Sequence, residues 1–203
     1  MKLQSCKAVI FVAWHGWIIN GVMDRGAAAN WTTERVHTKN IANVAIWYMT
    51  QVTEFAWIAV YDVWVFENIW LQEKIKKVNE ICKSLWYDHT NSIMIDVHVN
   101  AWWWTGVEGR FFTWSKDSEK LATWIARSQS EILKIPQRAS RWDTTNRHWR
   151  LGIVRDTRPL ACLIECWFID SAVDSELLTG LEGQRQFWQW IVRWIKRFFW
   201  IMT

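Results

Sequence analysis

The chain alternates between short runs of consecutive apolar residues and longer stretches in which apolar residues recur every three or four positions. Continuous apolar runs are typical of strands buried on both faces, and the wider spacing is typical of helices with one buried face. The apolar runs predict strands at 8–12, 58–65, 93–100, 109–114 and 160–169. The helical spacing predicts helices from Thr33 onward and over 68–85, 118–133 and 183–200.

Strands that alternate with helices along a chain indicate an α/β fold, with helices on both faces of a sheet. Residues 18–32 contain two glycines and two asparagines and are predicted to form a loop. The 203 residues show no internal repeat and no linker, and they fall within the usual size of one domain, about 50–250 residues. We therefore expect a single domain over 1–203.

Composition excludes several classes of protein. Apolar residues make up 51% of the chain and charged residues 22%, which excludes an intrinsically disordered chain. The net charge of +4 is too small to indicate a nucleic-acid-binding surface, so we expect no nucleic-acid partner. No apolar run approaches the roughly 20 residues that a membrane-spanning helix requires, so we expect no stable insertion into a membrane.

The N-terminus and the cysteines bear on the cellular compartment. The apolar stretch at 8–13 is shorter than the core of a secretory signal, so we expect synthesis in the cytoplasm without an export signal of its own. No two cysteines form a Cys-x-x-Cys pair, which argues against a zinc ribbon or a thioredoxin-like site. We expect all four cysteines to be reduced core residues: Cys6, Cys82, Cys162 and Cys166.

Polar side chains occur on or directly after the predicted strands. His15 follows the first strand, at the carboxyl edge where open α/β sheets bind ligands. On the strand at 93–100, side chains alternate between faces, so Asp96, His98 and Asn100 share one face. A polar row on an interior strand indicates a cleft, a metal site or a hydrogen-bonding network, and a solvated face is the alternative.

Glu165 is the only charged residue in the apolar run at 160–169. Burial of an unpaired carboxylate is costly and raises its pKa, which suits a general base that works near neutral pH. The structural alternative is a buried salt bridge, for instance to Arg155 or Arg141.

Glu34 opens the first predicted helix, where a carboxylate is also favourable for the helix dipole. Two histidines and one carboxylate from different segments would match a catalytic zinc site, whose fourth position stays open for water. His37, one turn beyond Glu34, competes as a ligand or lies on the surface.

Four segments, in order along the chain, carry a resemblance to a known family. They lie at 11–16, at 24–27 followed by 32–34, at 96–101 and at 160–169. Together they resemble the zinc-dependent N-acetylmuramoyl-L-alanine amidases, and in particular the catalytic domain shared by bacterial cell-wall autolysins, spore-lysis amidases and phage endolysins. The similarity extends to 106–109 and 154–161, so it covers nearly the whole chain.

The resemblance implies a fold and a reaction. The fold would be a mixed, mostly parallel sheet of about six strands between helices. Many relatives have a separate C-terminal wall-binding domain, but we expect none here, because the predicted closing helix leaves no room for one. The enzyme would hydrolyse the amide bond between N-acetylmuramic acid and L-alanine in peptidoglycan, and would act on the bacterial cell wall after release from the cytoplasm.

The resemblance also implies roles for single residues. His15, Glu34 and His98 match the zinc ligands of the family, and Glu165 matches its catalytic carboxylate. Residues that could orient a ligand or contact the substrate are Asn100, Asp96 and Arg155.

The chain departs from the family in its 20 tryptophans. Five of them stand where the family has glycine: Trp14, Trp17, Trp31, Trp142 and Trp167. Glycine serves where φ is positive or where the backbone approaches a ligand, so tryptophan there is expected to cost about 1–3 kcal/mol per site in strain. The tryptophans at 102–104 also suggest a surface for stacking on sugars.

Two other functions follow from these features. Tryptophans that crowd the site are compatible with a wall-binding module that has lost catalysis. The predicted helix at 183–200 has a basic stripe, which is compatible with a protein that acts at a membrane surface.

Overall fold

The computed structural model describes residues 7–13, 15, 18–19, 21–63, 71–143 and 151–179, and single positions or pairs at 182, 186, 189–190 and 193–194. Most of the helix expected over 183–200 therefore lies outside the described residues, as do Cys6, Trp14 and Trp17. Among the described residues, no helix has the length and apolar character needed to cross a bilayer.

The described residues form ten strands. They are β1 (Ala8–Ala13), β2 (Ile18–Ile19), β3 (Val22–Met23), β4 (Ala28–Ala29), β5 (Thr32–Thr33), β6 (Ala59–Asp62), β7 (Ser92–Asn100), β8 (Glu108–Phe111), β9 (Arg141–Trp142) and β10 (Leu160–Phe168). Six of them form one sheet in the order β6-β1-β7-β10-β8-β9. Neighbours in this sheet are parallel except β8 and β10, which are antiparallel. The expected mixed, mostly parallel sheet is confirmed.

Helices cover both faces of this sheet, which confirms the α/β prediction. They are α1 (Glu34–Gln51), α2 (Leu71–Ser84), α3 (Lys116–Leu133), α4 (Gly152–Arg155) and α5 (Ala172–Thr179), with a short 3-10 turn at Thr53–Phe55. One apolar cluster joins α1 and α3 to one face of the sheet, and a second joins α2 and α4 to the other. All six residues of β1 are buried, as expected for a parallel strand covered on both sides.

Several element boundaries differ from the sequence prediction. The expected loop at 18–32 contains two small hairpins, β2–β3 and β4–β5. The strand expected at 109–114 ends at Phe111, and the helix expected from 118 begins two residues earlier. It begins there because the Ser115 side chain caps it by accepting a hydrogen bond from the Ser118 amide. The short elements β9, α4 and α5 were not predicted, because each is too short to show a periodic pattern.

The cysteines that the structure describes are buried and free, as expected: Cys82, Cys162 and Cys166. The last two lie four residues apart on β10 and belong to the same apolar cluster. They therefore pack on one face of the strand, under α1 and α3.

Tryptophan occupies positions of left-handed backbone. Of the six described non-glycine residues with positive φ, three are tryptophans: Trp31 (φ 62°), Trp86 (φ 59°) and Trp103 (φ 55°). All three side chains are exposed, so little packing offsets the strain. Among the described tryptophans at family glycine positions, a positive φ occurs only at Trp31. Trp142 and Trp167 lie in strands without a positive φ, so a left-handed backbone does not explain glycine at these two positions in the family.

We predict that glycine at these three positions stabilises the fold. Trp31→Gly, Trp86→Gly and Trp103→Gly each raise the free energy of unfolding by about 1 kcal/mol, because the left-handed conformation costs a residue with a Cβ roughly 1–2 kcal/mol. Denaturant unfolding of the single variants measures the effect.

Trp114→Gly is the matched control for these variants. Trp114 is also exposed, but its φ is not positive, so glycine there is expected to give no gain in stability. An equal gain at Trp114, or a loss at all three positive-φ positions, would contradict the conformational explanation.

Candidate metal centre

Two histidines and one glutamate meet at the carboxyl edge of the sheet. His15 Nε2 lies 3.1 Å from Glu34 Oε2, and His98 Nδ1 lies 3.0 Å from Glu34 Oε1. The two imidazole rings face each other edge to face, with centroids 5.7 Å apart. Donor atoms of these three residues, here called the triad, all lie within 4.8 Å of one another.

Glu34 is the buried centre of the triad. It is the first residue of α1, and its carboxylate accepts hydrogen bonds from the backbone amides of Ala27 (3.0 Å) and Val99 (3.0 Å) as well as contacting both imidazoles. Burial would raise the pKa of Glu34, but the interactions with His15 and His98 outweigh it and hold this pKa well below its usual range. The carboxylate is therefore ionised and fixed in orientation.

His15 is held in position by strained backbone and by a second carboxylate. Its φ is 58°, a left-handed value that is uncommon for a residue other than glycine. Its Nδ1 lies 2.8 Å from Asp24 Oδ2, which directs Nε2 toward Glu34. Gly26 is required beside it, because a Cβ there would lie 2.5 Å from the His15 ring and 2.6 Å from Glu34 Oε2.

His98 has a carboxylate on each side. Its Nε2 lies 3.3 Å from Asp96 Oδ2, so Nδ1 is the atom that faces Glu34. Burial would lower the pKa of His98, but the neighbouring carboxylates of Asp96 and Glu34 raise it to about 10. Asp96 therefore lies where it can orient His98.

The donor set fits a divalent metal ion. Two imidazole nitrogens and a carboxylate oxygen converge, and each histidine contacts a further carboxylate through its other nitrogen, as metal-bound histidines commonly do. The pKa directions of Glu34 and His98 show that the buried carboxylates favour positive charge between them. A cation bound between the three triad side chains supplies this positive charge.

Glu165 lies one strand away from the triad. It pairs with His98 in the register of β10 with β7, and neighbouring strands are about 4.8 Å apart. Its Oε2 is inaccessible to solvent and has no hydrogen-bond partner among the described residues. Burial raises the pKa of Glu165 to about 7 against the opposing charge of His98.

The salt bridge considered for Glu165 does not form within the described part of the chain. Arg141 binds Glu108 instead, with Nε 3.2 Å from Oε2, and Arg155 pairs with Asp156 at 2.7 Å. Glu165 thus stays an unpaired carboxylate beside the triad.

Comparison with known families decides the identity of this fold and site. The family model of the N-acetylmuramoyl-L-alanine amidases matches residues 15–197, which include the triad and Glu165. The chain belongs to this amidase family. The amidases hydrolyse the amide bond between N-acetylmuramic acid and L-alanine in peptidoglycan, so the chain is a cell-wall hydrolase. Among curated protein sequences, none is significantly similar to it.

Solved amidase structures share the fold. The N-acetylmuramoyl-L-alanine amidase from Clostridium difficile 630 is 20% identical, with a TM-score of 0.74 over 96% of this chain and 98% of that chain. The catalytic domain of CwlV from Bacillus (Paenibacillus) polymyxa var. colistinus is 17% identical, with a TM-score of 0.71 over 95% and 98% of the two chains. The catalytic domain of the CD27L endolysin targeting Clostridia difficile is 22% identical, with a TM-score of 0.70 over 94% and 97%.

The remaining candidates from the sequence lie apart from the triad of this amidase. The Asn100 side chain accepts a hydrogen bond from the Ala101 amide, and Arg155 is occupied by its neighbour Asp156. His37 Nε2 lies 3.0 Å from Thr32 Oγ1 and is not part of the metal-binding group. Neither Asn100 nor Arg155 forms a hydrogen bond with the triad among the described residues, and contact of either with the substrate stays a prediction.

Two groups beside the triad were not predicted from the sequence. Asp24 orients His15, and its position in a glycine-containing turn after His15 is the signal that could have identified it.

Lys74 on α2 is buried, and its Nζ donates a hydrogen bond to the carbonyl of Ala13. Burial lowers the pKa of Lys74 to about 8, although the carboxylates of Asp96 and Asp24 oppose the shift. No sequence pattern distinguishes this lysine from the others on its helix.

The tryptophans at 102–104 lie just beyond the end of β7. Trp102 and Trp103 are exposed, and Asp170 accepts hydrogen bonds from their backbone amides. Trp104 packs under the guanidinium of Arg138, 4.0 Å from the ring centroid. Stacking of sugars on these rings stays a prediction.

We predict that Asp24→Asn weakens metal binding by about 10–100-fold, because loss of a carboxylate behind a metal-bound histidine typically has this effect. Asparagine can keep the hydrogen bond to the Gly26 amide, so the turn is retained. Competition with a chromophoric chelator, with Zn²⁺ as the probe, measures the affinity. The control is Asp117→Asn on α3, and an unchanged affinity in Asp24→Asn would contradict the assigned role of Asp24.

Proposed function

We propose that this amidase uses zinc, with His15, Glu34 and His98 as its ligands and Glu165 as its general base. The observation that carries the proposal is the buried His-Glu-His cluster, with an unpaired carboxylate on the adjacent strand. Two imidazoles and one carboxylate are a donor set of catalytic zinc sites, which leave one position open. The absence of a cysteine from the triad agrees with a catalytic rather than a structural zinc site.

When bound, zinc lowers the pKa of a water molecule toward 7 and polarises the scissile carbonyl. The carboxylate of Glu165, which has no ion pair among the described residues, accepts the proton of the attacking water and later delivers it to the leaving nitrogen of L-alanine. Asp24 and Asp96 hold the two imidazoles in fixed orientations. Glu34 keeps both at a constant separation, because it also binds the backbone at Ala27 and Val99.

The assembled site favours catalysis over the alternative of a wall-binding module. Every side chain that the reaction needs from the protein is present, and the glycine beside His15 and Glu34 is retained as Gly26. A module selected only for binding would not require a carboxylate, Asp24 or Asp96, behind each histidine.

We predict that Glu165→Gln lowers kcat for release of stem peptides by about 10²–10⁴-fold, because glutamine cannot carry the proton. The free energy of unfolding is not reduced, because the variant removes a carboxylate without an ion pair and keeps its shape. Zinc content stays unchanged. The measurements are peptide release from purified cell walls, denaturant unfolding and elemental analysis.

Glu176→Gln on α5 is the control, since this exposed carboxylate lies on a different element. Wild-type rates in Glu165→Gln would remove Glu165 from the mechanism. Equal losses in both variants would show that a change in overall charge, not the general base, causes the effect.

We also predict that removal of the metal by a chelator abolishes peptide release and lowers the Tm by about 5–15 °C, because a ligand that binds only the folded state stabilises it. Added Zn²⁺ restores both. Differential scanning calorimetry and the cell-wall assay measure the two effects. An enzyme that keeps full activity and an unchanged Tm after its metal content has fallen to zero would contradict the proposal.

A further inference from the structure

A second charged cluster lies on the same face of the sheet as the triad and Glu165. Glu108 on β8 stands opposite Glu165 on β10, and Arg110 lies two residues farther along β8. Arg141 on β9 stands opposite Arg110. Since alternate residues of a strand share a face, all of these side chains lie on the face that carries Glu165 and His98.

Two arginines contact one buried carboxylate in this cluster. Glu108 is buried, with 4% of its side chain exposed, and it binds both Arg110 and Arg141. The side chain of Arg110 is 14% exposed and that of Arg141 is 41% exposed. Of the two guanidinium groups, that of Arg141 is therefore the one more accessible to a ligand in solvent.

Arg141 is arranged to bind an anion. Its Nε contacts Glu108 Oε2 at 3.2 Å, and no hydrogen bond from its two terminal nitrogens occurs among the described residues. A guanidinium fixed through Nε presents these remaining donors in a rigid plane, which matches the geometry of a carboxylate. Because Glu108 already orders the side chain, binding of an anion costs little further conformational entropy.

The distance between Arg141 and the triad matches the length of a short extended peptide. Arg141 lies three strands from His98, about 14 Å at the usual strand spacing. An extended peptide spans this distance in about four residues, and fewer when the length of the arginine side chain is included. The free carboxylates of the substrate belong to the stem peptide. The lactyl carboxyl group of the sugar is not free, because it forms the acyl part of the scissile amide.

We propose that Arg141, held by Glu108 together with Arg110, binds a carboxylate of the stem peptide on the leaving-group side of the scissile bond. This inference rests on the proposed function, and it assigns the peptide to the strands β10, β8 and β9. Arg141 thereby selects substrates with a free carboxylate over substrates in which that group is an amide. A purely structural ion pair, which would only tie β9 to β8, makes no such distinction.

The test compares two soluble muramoyl peptides, one with free carboxylates and one with the same groups as carboxamides. Arg141→Gln is expected to raise KM for the carboxylate peptide about tenfold or more, with kcat unchanged, because a hydrogen-bonded charge pair is lost. KM for the carboxamide peptide stays the same. Arg141→Lys recovers part of the affinity, as a point charge without the planar fork.

Arg127→Gln is the matched control, since it removes the same charge from α3 on the opposite face of the sheet, where Arg127 pairs with Glu131. It is expected to leave both KM values unchanged. If Arg141→Gln changes KM equally for the two peptides, or changes neither KM, the proposal is overturned. The contact of Arg141 with Glu108 would then be a structural ion pair only.

A binding measurement distinguishes failure of the proposed function from failure of the proposed site at Arg141. Calorimetry measures the affinity of both peptides for the zinc-loaded Glu165→Gln chain and for the same chain with Arg141→Lys added. If the parent enzyme hydrolyses neither peptide, the proposed function fails, yet a preference for the carboxylate peptide in binding would still support the site at Arg141. If Arg141→Gln does not fold, the comparison uses Arg141→Lys, and equal affinity of the parent chain for the two peptides overturns the inference.

Discussion

The carboxylate of Glu34 contacts the imidazoles of His15 and His98 and accepts hydrogen bonds from the backbone amides of Ala27 and Val99. One buried group therefore joins the loop after β1, the start of α1 and the end of β7. The fold makes this possible because parallel strands bring their carboxyl ends to one edge, where α1 also begins. Displacement of this single carboxylate would separate the two imidazoles and leave the backbone amides of Ala27 and Val99 without their acceptor.

The same carboxylates that build the site also demand a cation. Asp24 and Asp96 lie behind the two histidines, and Glu34 lies between them, so negative charge surrounds the point where the imidazole nitrogens converge. Burial makes this arrangement unfavourable unless positive charge is present, which is the physical reason for the raised pKa of His98. Glu165 lies beside this charge without an ion pair, and the family assignment gives the arrangement its chemical purpose: hydrolysis of a peptidoglycan amide.

The sequence predicts the sheet because its strands leave strong local patterns, and the resemblance to the amidases predicts the triad. The apolar runs of β1, β7 and β10 are uninterrupted, and His98 and Glu165 stand out as polar residues within them. The contacts of Asn100 with Ala101 and of Arg155 with Asp156 were not predicted, because no sequence pattern reveals which contact a side chain prefers. Lys74 and the Glu108 cluster depend on contacts between distant segments, which a single sequence does not show.

The most direct test of the account is X-ray absorption at the zinc edge of the purified, zinc-loaded enzyme in solution. The account predicts one zinc per chain with only nitrogen and oxygen neighbours at about 2.0–2.1 Å, two of them imidazoles. A shell of sulfur neighbours at about 2.3 Å, or the absence of stoichiometric zinc, would show that His15, Glu34 and His98 do not form the metal site.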